Sequence, residues 1–283
     1  MTIRARAVMA AVVVCALASA ELRAQSFAAF GFKSTPAALS VPAFSDKDVS
    51  GLLTTLDRLL GAAVKSKTRD GDARDALWQF ARRLQAGQLS ALQESRVRTE
   101  LDRIATTQPR TADAVQATRQ MIDQLMIGKT APDIIGSDLE GRPMKLSDFR
   151  GKVVVVTFSA EWCAICKSQA PYERFLMQRY ARWPFALLGV QTGSNRDAAR
   201  DLQIKDPLAH RAWWDEPREG LPGGAIAGAW NVLGYPASYV IDGDGVIRFV
   251  DLRDEDLLKG VRQLVEAQVD LDQKKARRAP HQN

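Results

Sequence analysis

The sequence predicts an α/β protein, in which a layered domain of alternating strands and helices follows a small helical region. Residues 153–158 (VVVVTF) have the composition of a buried strand, and the segment that follows them is compatible with a helix to about residue 180. Between residues 45 and 127, apolar residues recur at the three-and-four spacing of helices. The chain has 283 residues, of which 46% are hydrophobic and 25% charged, values ordinary for a globular protein.

The first twenty residues resemble a secretory signal. Arg4 and Arg6 precede an apolar stretch over residues 7–17, and the small residues 18–20 (ASA) form a candidate cleavage site. We therefore predict an exported protein, periplasmic or otherwise extracytoplasmic, from which Cys15 is removed with the signal. An uncleaved membrane anchor is the alternative.

The net charge does not indicate a nucleic-acid-binding protein. It is +6 for the whole chain and +4 without Arg4 and Arg6. Much of the excess lies in residues 271–283, predicted to be a basic, disordered tail, and no basic stripe with interleaved aromatic residues accompanies it. Residues 21–44, rich in Ala, Ser and Pro, are predicted to be a linker.

Residues 45–127 are predicted to form four helices packed as a small antiparallel bundle. Ser45 is a candidate cap of the first helix and Gly87 is placed to end the second. Ser90 and Gln93 match a capping box for the third helix, and Thr111 is a candidate cap for the fourth. No cluster of ligand or acid–base residues stands out, so the sequence does not indicate what this region does.

Residues 128–270 alternate between strand and helix patterns. A hairpin around residues 138–141 comes first, and a turn at residues 242–245 (DGDG) joins the last two strands. The predicted strands are residues 134–135, 144–146, 153–158, 185–190, 212–214, 237–241 and 246–251. The predicted helices are a segment that begins at the Cys-x-x-Cys pair and continues to about residue 180, residues 195–202, residues 225–230 and a final helix that opens at residue 254.

Cys163 and Cys166 remain after removal of the signal, in a Cys-x-x-Cys arrangement at the start of a predicted helix. Unpaired N–H groups and the helix dipole favour negative charge there, which lowers the pKa of a thiol. We interpret the pair as redox-active rather than as an inert disulfide. Zinc would need further ligands, and His210 and His281 lack the required spacing. We expect no metal, and His210 is most simply a loop histidine.

Five short motifs resemble those of the thioredoxin-like superfamily, in particular its exported TlpA/ResA-type thiol-disulfide oxidoreductases, which are related to the redoxin and AhpC/TSA domains. The resemblance covers about residues 127–269 and leaves out the helical region. The motifs, in the family's order, are residues 128–132 (GKTAP), 146–152 (LSDFRGK), 162–166 (WCAIC), 234–236 (GYP) and 241–245 (IDGDG).

This resemblance implies a thioredoxin-like fold, a central mixed sheet flanked by helices. It also implies that Cys163 attacks a partner's disulfide and that Cys166 resolves the mixed disulfide. Pro236 matches the family's cis proline, and Trp162 and Tyr235 would help to shape the site. The implied partners are protein disulfides or dithiols and a membrane-borne or soluble dithiol electron donor, with no cofactor. The motif serves both directions of electron flow; a reductant is favoured, and the oligomeric state is open.

Three residues depart from the family's pattern. Ile165 replaces the usual proline between the cysteines. Thr157 stands where cytoplasmic thioredoxins have a buried aspartate, and Gln169 replaces the glutamate of many ResA-like members. The usual carboxylate bases are therefore missing, and Glu161, the nearest carboxylate in the sequence, is expected in an exposed loop.

Two other functions remain open. Peroxiredoxins need Thr or Ser three residues before the peroxidatic cysteine, and Ala160 occupies that position, which disfavours a thiol peroxidase of the AhpC/TSA kind. The second alternative is a non-catalytic adaptor that binds a partner through residues 45–127.

Overall fold

The computed structural model describes residues 43–65, 71–205, 210–218, 223–232 and 234–278. The predicted signal, residues 1–20, lies outside them, as does the predicted linker apart from its last two residues. Within the described ranges, no helix has both the length and the hydropathy needed to cross a bilayer.

The helical region consists of α1 (Asp46–Lys65), α2 (Gly71–Leu84), α3 (Ala91–Thr107) and α4 (Ala112–Gln124). Two of the predicted caps are confirmed. The Ser45 hydroxyl accepts a hydrogen bond from the backbone N–H of Asp48 at the start of α1, and Ser90 and Gln93 form the capping box of α3. Thr111 precedes α4 but does not cap it, because its hydroxyl donates to a carbonyl of the 3-10 turn that leads into the helix.

A five-stranded mixed sheet lies at the centre of the second part, as predicted. Its strand order is β5-β4-β3-β6-β7; β4 runs parallel to β3 and β5, β6 antiparallel to β3, and β7 antiparallel to β6. A separate antiparallel hairpin of β1 and β2 precedes it. The strands are β1 (Ile135–Ser137), β2 (Pro143–Lys145), β3 (Val153–Ala160), β4 (Phe185–Thr192), β5 (Ala212–Trp214), β6 (Ala237–Ile241) and β7 (Ile247–Val250).

The helices between the strands are α5 (Ala164–Arg179), α6 (Arg196–Lys205) and α7 (Ala225–Ala229), and α8 (Asp254–Arg278) follows β7. The prediction of a disordered tail from residue 271 is wrong for residues 271–278, which continue α8. Two contacts one turn apart support the extension: Asp270 pairs with Lys274, and Gln268 donates to Asp272. Gln, Lys, Ala and Arg, which dominate this segment, are also strong helix formers. The prediction used only the charge of these residues and therefore missed their helix propensity.

The two faces of the sheet are covered by different helices. Successive side chains of a strand point to opposite faces. Val154, Val156 and Phe158 belong to one core cluster with the buried residues of the helical region. Val153 and Val155 are buried on the other face, where α8 packs against β3 and α5 packs against α8.

Polar contacts also join the helical region to the sheet. Gln85 is buried, and its Nε2 donates to the hydroxyl of Tyr239 in β6 at 3.3 Å; that hydroxyl donates in turn to the carbonyl of Trp230. Arg82 of α2 forms an ion pair with Asp251, which follows β7. The described residues thus form one compact unit. The division at residue 127 into a helical region and a thioredoxin-like domain stays a prediction.

Candidate functional site

Cys163 and Cys166 lie where the central strand passes into a helix. Cys163 immediately precedes α5, and Cys166 lies in the first turn of that helix. The two cysteines form a disulfide, with their Cα atoms 5.3 Å apart. The backbone N–H of Cys166 points at Cys163 Sγ, 3.0 Å away. A Cys163 thiolate at this position would receive a hydrogen bond and the favourable end of the helix dipole.

The disulfide lies below an apolar rim. Cys163 is only 5% exposed and Cys166 is half-buried. Their neighbours Trp162 and Ile165 are 63% and 56% exposed. Large apolar side chains so exposed are suited to contact another protein, so a partner would cover this rim when it reaches the sulfur atoms.

The predicted proline loop lies beside the cysteines. The Tyr235–Pro236 peptide is cis, as the resemblance implies, and it leads directly into β6. Because Ala237 pairs with Phe158, the loop lies next to the end of β3 that delivers the cysteines. Arg253 donates to the Pro236 carbonyl at 3.0 Å. The rings of Trp162 and Tyr235 meet edge to face, with their centroids 5.7 Å apart.

A cavity of about 360 Å³ lies on the α5 side of the sheet, and Cys166 and Pro236 form part of its wall. Glu173 reaches it from α5 and His210 from the segment before β5. Their side chains are 18% and 14% exposed, and Glu173 Oε2 lies 4.0 Å from His210 Nδ1. Burial raises the pKa of Glu173 to about 7.

Comparisons with known proteins identify the family of this chain. Residues 127–250 match the model of the AhpC/TSA family. Thiol-disulfide oxidoreductase ResA from Bacillus thuringiensis is 29% identical over 125 residues, which cover 44% of this chain and 69% of that protein. ResA from Geobacillus thermodenitrificans is 30% identical over 122 residues, covering 43% of this chain and 67% of the relative. The chain belongs to the thioredoxin-like, TlpA/ResA-type thiol-disulfide oxidoreductases.

Among solved structures, the thioredoxin domain of a thiol-disulfide oxidoreductase from Bacteroides vulgatus aligns with 50% of the chain. That alignment covers 99% of the solved domain, at 25% identity and a TM-score of 0.44.

Gln169 of this oxidoreductase is committed to a structural contact. It is buried on α5, its Nε2 donates to Asp254 Oδ1 at 3.0 Å, and its Oε1 accepts from the backbone N–H of Asp254 at 3.0 Å. A glutamate here would bring a second carboxylate against Asp254. The amide therefore fits this position, and it joins the cysteine helix to the start of α8.

Glu161 lies in an exposed loop, as expected. Its carboxylate accepts hydrogen bonds from the hydroxyl and the backbone N–H of Ser194, and these contacts hold its pKa below the usual value. Thr157 faces the cavity from β3. Glu161 is exposed and Thr157 has no carboxyl group, so neither residue supplies a buried carboxylate near the cysteines.

Two residues of the oxidoreductase's cavity were not singled out for function in the sequence. No local pattern marks Glu173. His210, predicted as a loop residue, does lie in a loop, but its side chain enters the cavity. One signal was present: Gly189 lies inside a strand, where glycine often marks a close approach. A Cβ at Gly189 would lie 2.8 Å from His210 Nε2. Across the described residues, no group of three or more His, Cys, Asp or Glu side chains is arranged to hold a metal ion.

Proposed function

We propose that Cys163 and Cys166 are the residues through which this oxidoreductase exchanges disulfides with other proteins. The observation that carries this proposal is the position of Cys163 Sγ at the start of α5, where the N–H of Cys166 donates to it. This contact and the helix dipole favour the thiolate, the form of cysteine that attacks a disulfide.

In the reducing direction, the Cys163 thiolate attacks one sulfur of the partner's disulfide. The partner's other sulfur leaves as a thiolate, which takes a proton, and a mixed disulfide remains. The Cys166 thiolate then attacks Cys163 Sγ, which forms the Cys163–Cys166 bond and releases the partner's second thiolate. Two electrons pass from the dithiol to the partner, and a second dithiol protein returns the pair to its reduced form.

We further propose that Trp162, Tyr235 and Pro236 shape the surface that receives the partner chain. The contact between the Trp162 and Tyr235 rings, and the position of the cis proline beside the end of β3, support this role. Pro236 also has no N–H with which to pair. Neighbouring backbone groups are therefore left to pair with an extended segment of the partner.

Reduction of partners in an extracytoplasmic compartment is the cellular setting that we propose, with a membrane-borne or soluble dithiol protein as donor. The secretory pattern of residues 1–20 supports export. The chain's relatives in the ResA group support thiol-disulfide exchange over a peroxidase reaction.

Substitution of each cysteine tests the assignment. We expect Cys163→Ser to abolish reduction of insulin disulfides. Cys166→Ser should stop turnover but accumulate a mixed disulfide through Cys163, visible by mass spectrometry and reversed by dithiothreitol. Turnover by Cys163→Ser would contradict the mechanism. Absence of exchange in the wild-type protein, together with capture of a partner by the helical region, would favour the adaptor function.

A further inference from the structure

The cavity lies on the Cys166 side of the disulfide. Cys166 is part of its wall, together with residues of α5 and β3, whereas Cys163 is not among the residues that line it. Cys166 and Glu173 are seven residues apart on α5, so they share a face of the helix two turns apart, about 10 Å along its axis. That separation is too long for direct proton transfer and short enough for a few water molecules.

Three buried side-chain oxygen atoms make the cavity suited to water. Thr157 and Thr192 are 5% and 3% exposed, and both line the cavity. Their hydroxyl oxygens, and Oε1 of Gln203, which also lines the cavity, have no hydrogen-bond partner among the described residues. Buried polar atoms require partners, and a cavity of about 360 Å³ is large enough for several waters of about 30 Å³ each.

Glu173 is the charged group of the cavity that is best placed to exchange a proton with these waters. Lys167 and Arg174 are exposed, and Glu161 is exposed and held by Ser194. Arg253 donates to Pro236, and Asp254 is bound to Gln169. Besides the thiol of Cys166, the titratable and charged residues that line the cavity in the described part of the chain are Glu161, Lys167, Glu173, Arg174, His210 and Arg253.

We propose that Glu173 takes up and returns the proton of Cys166 through water in the cavity, and that His210 positions the Glu173 carboxylate. This inference rests on the proposed role of Cys166 as the resolving thiol. The proposal gives Glu173 the role of the carboxylate base that the family resemblance implies at position 169. Glu173 lies one helical turn beyond Gln169, and the amide of Gln169 is occupied by its contacts with Asp254. His210 faces Glu173 from across the cavity, with Nδ1 4.0 Å from Oε2.

The proposed proton transfer can be followed, together with the bonds that form and break, through the whole exchange reaction. The Cys166 thiol loses its proton through water to the Glu173 carboxylate, and the resulting thiolate attacks Cys163 Sγ. The Cys163–Cys166 bond forms while the bond from Cys163 to the partner's sulfur breaks. The partner's thiolate takes its proton from solvent, and Glu173 releases its own to solvent. During re-reduction, Glu173 returns a proton to Cys166 as that sulfur leaves. A carboxyl with a pKa of about 7 can do both near neutral pH.

The pH dependence of the resolving step tests the proposal. The full chain, reduced, is mixed with an excess of a disulfide-bonded peptide, the reaction is quenched with acid, and the mixed disulfide is followed by mass spectrometry. Between about pH 5.5 and pH 9, we expect the wild-type rate of resolution to rise and then bend near pH 7. In Glu173→Gln, which keeps the shape but cannot titrate, the bend should vanish. At pH 7.5, resolution should be about 100-fold slower, the lower end of the usual acid–base contribution.

Two further variants separate a proton-transfer role from a structural one. Glu173→Asp keeps a carboxyl and should restore the bend, whereas Glu161→Gln, which removes the other carboxylate at the cavity, should keep it. A Glu173→Gln profile indistinguishable from wild type, or loss of the bend in Glu161→Gln instead, would overturn the proposal. If no mixed disulfide forms even in the wild-type protein, the proposed function itself fails, so the two failures are distinguishable.

Discussion

Replacement of Gln169 by glutamate tests why this oxidoreductase has an amide at a position where the family resemblance implies a carboxylate. The change keeps the acceptor for the N–H of Asp254 but replaces the donor to Asp254 Oδ1 by a second carboxylate oxygen, at a distance of 3.0 Å. A hydrogen bond to a charged group contributes about 1.5–3 kcal/mol. Asp254 is exposed, and solvent weakens both the lost bond and the new repulsion. We therefore expect Gln169→Glu to lower the free energy of unfolding at pH 7 by about 1–2 kcal/mol.

The loss of stability caused by Gln169→Glu should be smaller at acidic pH. The neighbouring carboxylate raises the folded-state pKa of the introduced carboxyl above its unfolded value of about 4.3. Between these two pKa values the folded variant binds more protons than the unfolded chain. The contribution of this group to stability therefore rises as the pH falls through its folded pKa, and it is lost again as the pH rises. Once protonated, the carboxyl can donate to Asp254 as the amide did.

Urea unfolding followed by circular dichroism, at pH 7 and about pH 4.5, measures this difference against wild type at each pH. The matched control combines Gln169→Glu with Asp254→Asn, which supplies an amide donor from the other side and should recover most of the loss. Asn also tolerates the positive φ of 51° at this position. An equal loss at both pH values, or no recovery in the double variant, would refute the reasoning.

Two other predictions concern the direction of electron flow and the location of the protein. Titration of the Cys163 and Cys166 thiols in dithiol buffers should give a reduction potential at or below about −230 mV, as expected for a reductant, whereas a value near about −120 mV would indicate an oxidant. In an expressing bacterium, the extracytoplasmic fraction should contain a chain whose mass corresponds to cleavage after Ala20. A membrane-bound chain that retains residues 1–20 would instead support the uncleaved anchor.

Much of the fold could be predicted because the signals are local. The run of residues 153–158 has the near-continuous hydrophobicity of a strand covered on both faces, and it is the central strand. The capping box of Ser90 and Gln93 involves neighbouring residues only, so its pattern predicts its structure. The position of Cys163 at a helix start follows from the same kind of local pattern.

The features that escaped prediction depend on contacts between distant segments. Gln169 and Asp254 are 85 residues apart, and nothing near either residue indicates the other. Glu173 and His210 meet because α5 packs against β4 and β5 pairs with β4, where Gly189 leaves room for the imidazole. The residue types at positions 157 and 169 thus show that the two expected carboxylates are missing, but no local pattern indicates that Glu173 enters the same cavity.

The two faces of β3 have different surroundings: one face lines the cavity, and the other packs against the helical region. Thr157 faces the cavity, whereas Val154 and Val156 belong to the core shared with the helical region. Through this core and through the contact of Gln85 with Tyr239, the helical region packs against β3, which ends beside the cysteines, and against β6, which begins beside Pro236.

The packing of the helical region against the sheet is relevant to the alternative function, that of a non-catalytic adaptor. The apolar stripes of its helices are the surfaces that would normally receive a partner's helix. Leu77, Leu101 and Ile122 on those stripes are completely buried within the chain's own core. A partner would therefore have to recognise the outer, charged surface of these helices, where Arg103 pairs with Asp57 and Glu100. Surface ion pairs of this kind contribute little energy individually. The helical region is thus better suited to stabilising the strands beside the cysteines than to capturing a partner through an apolar face.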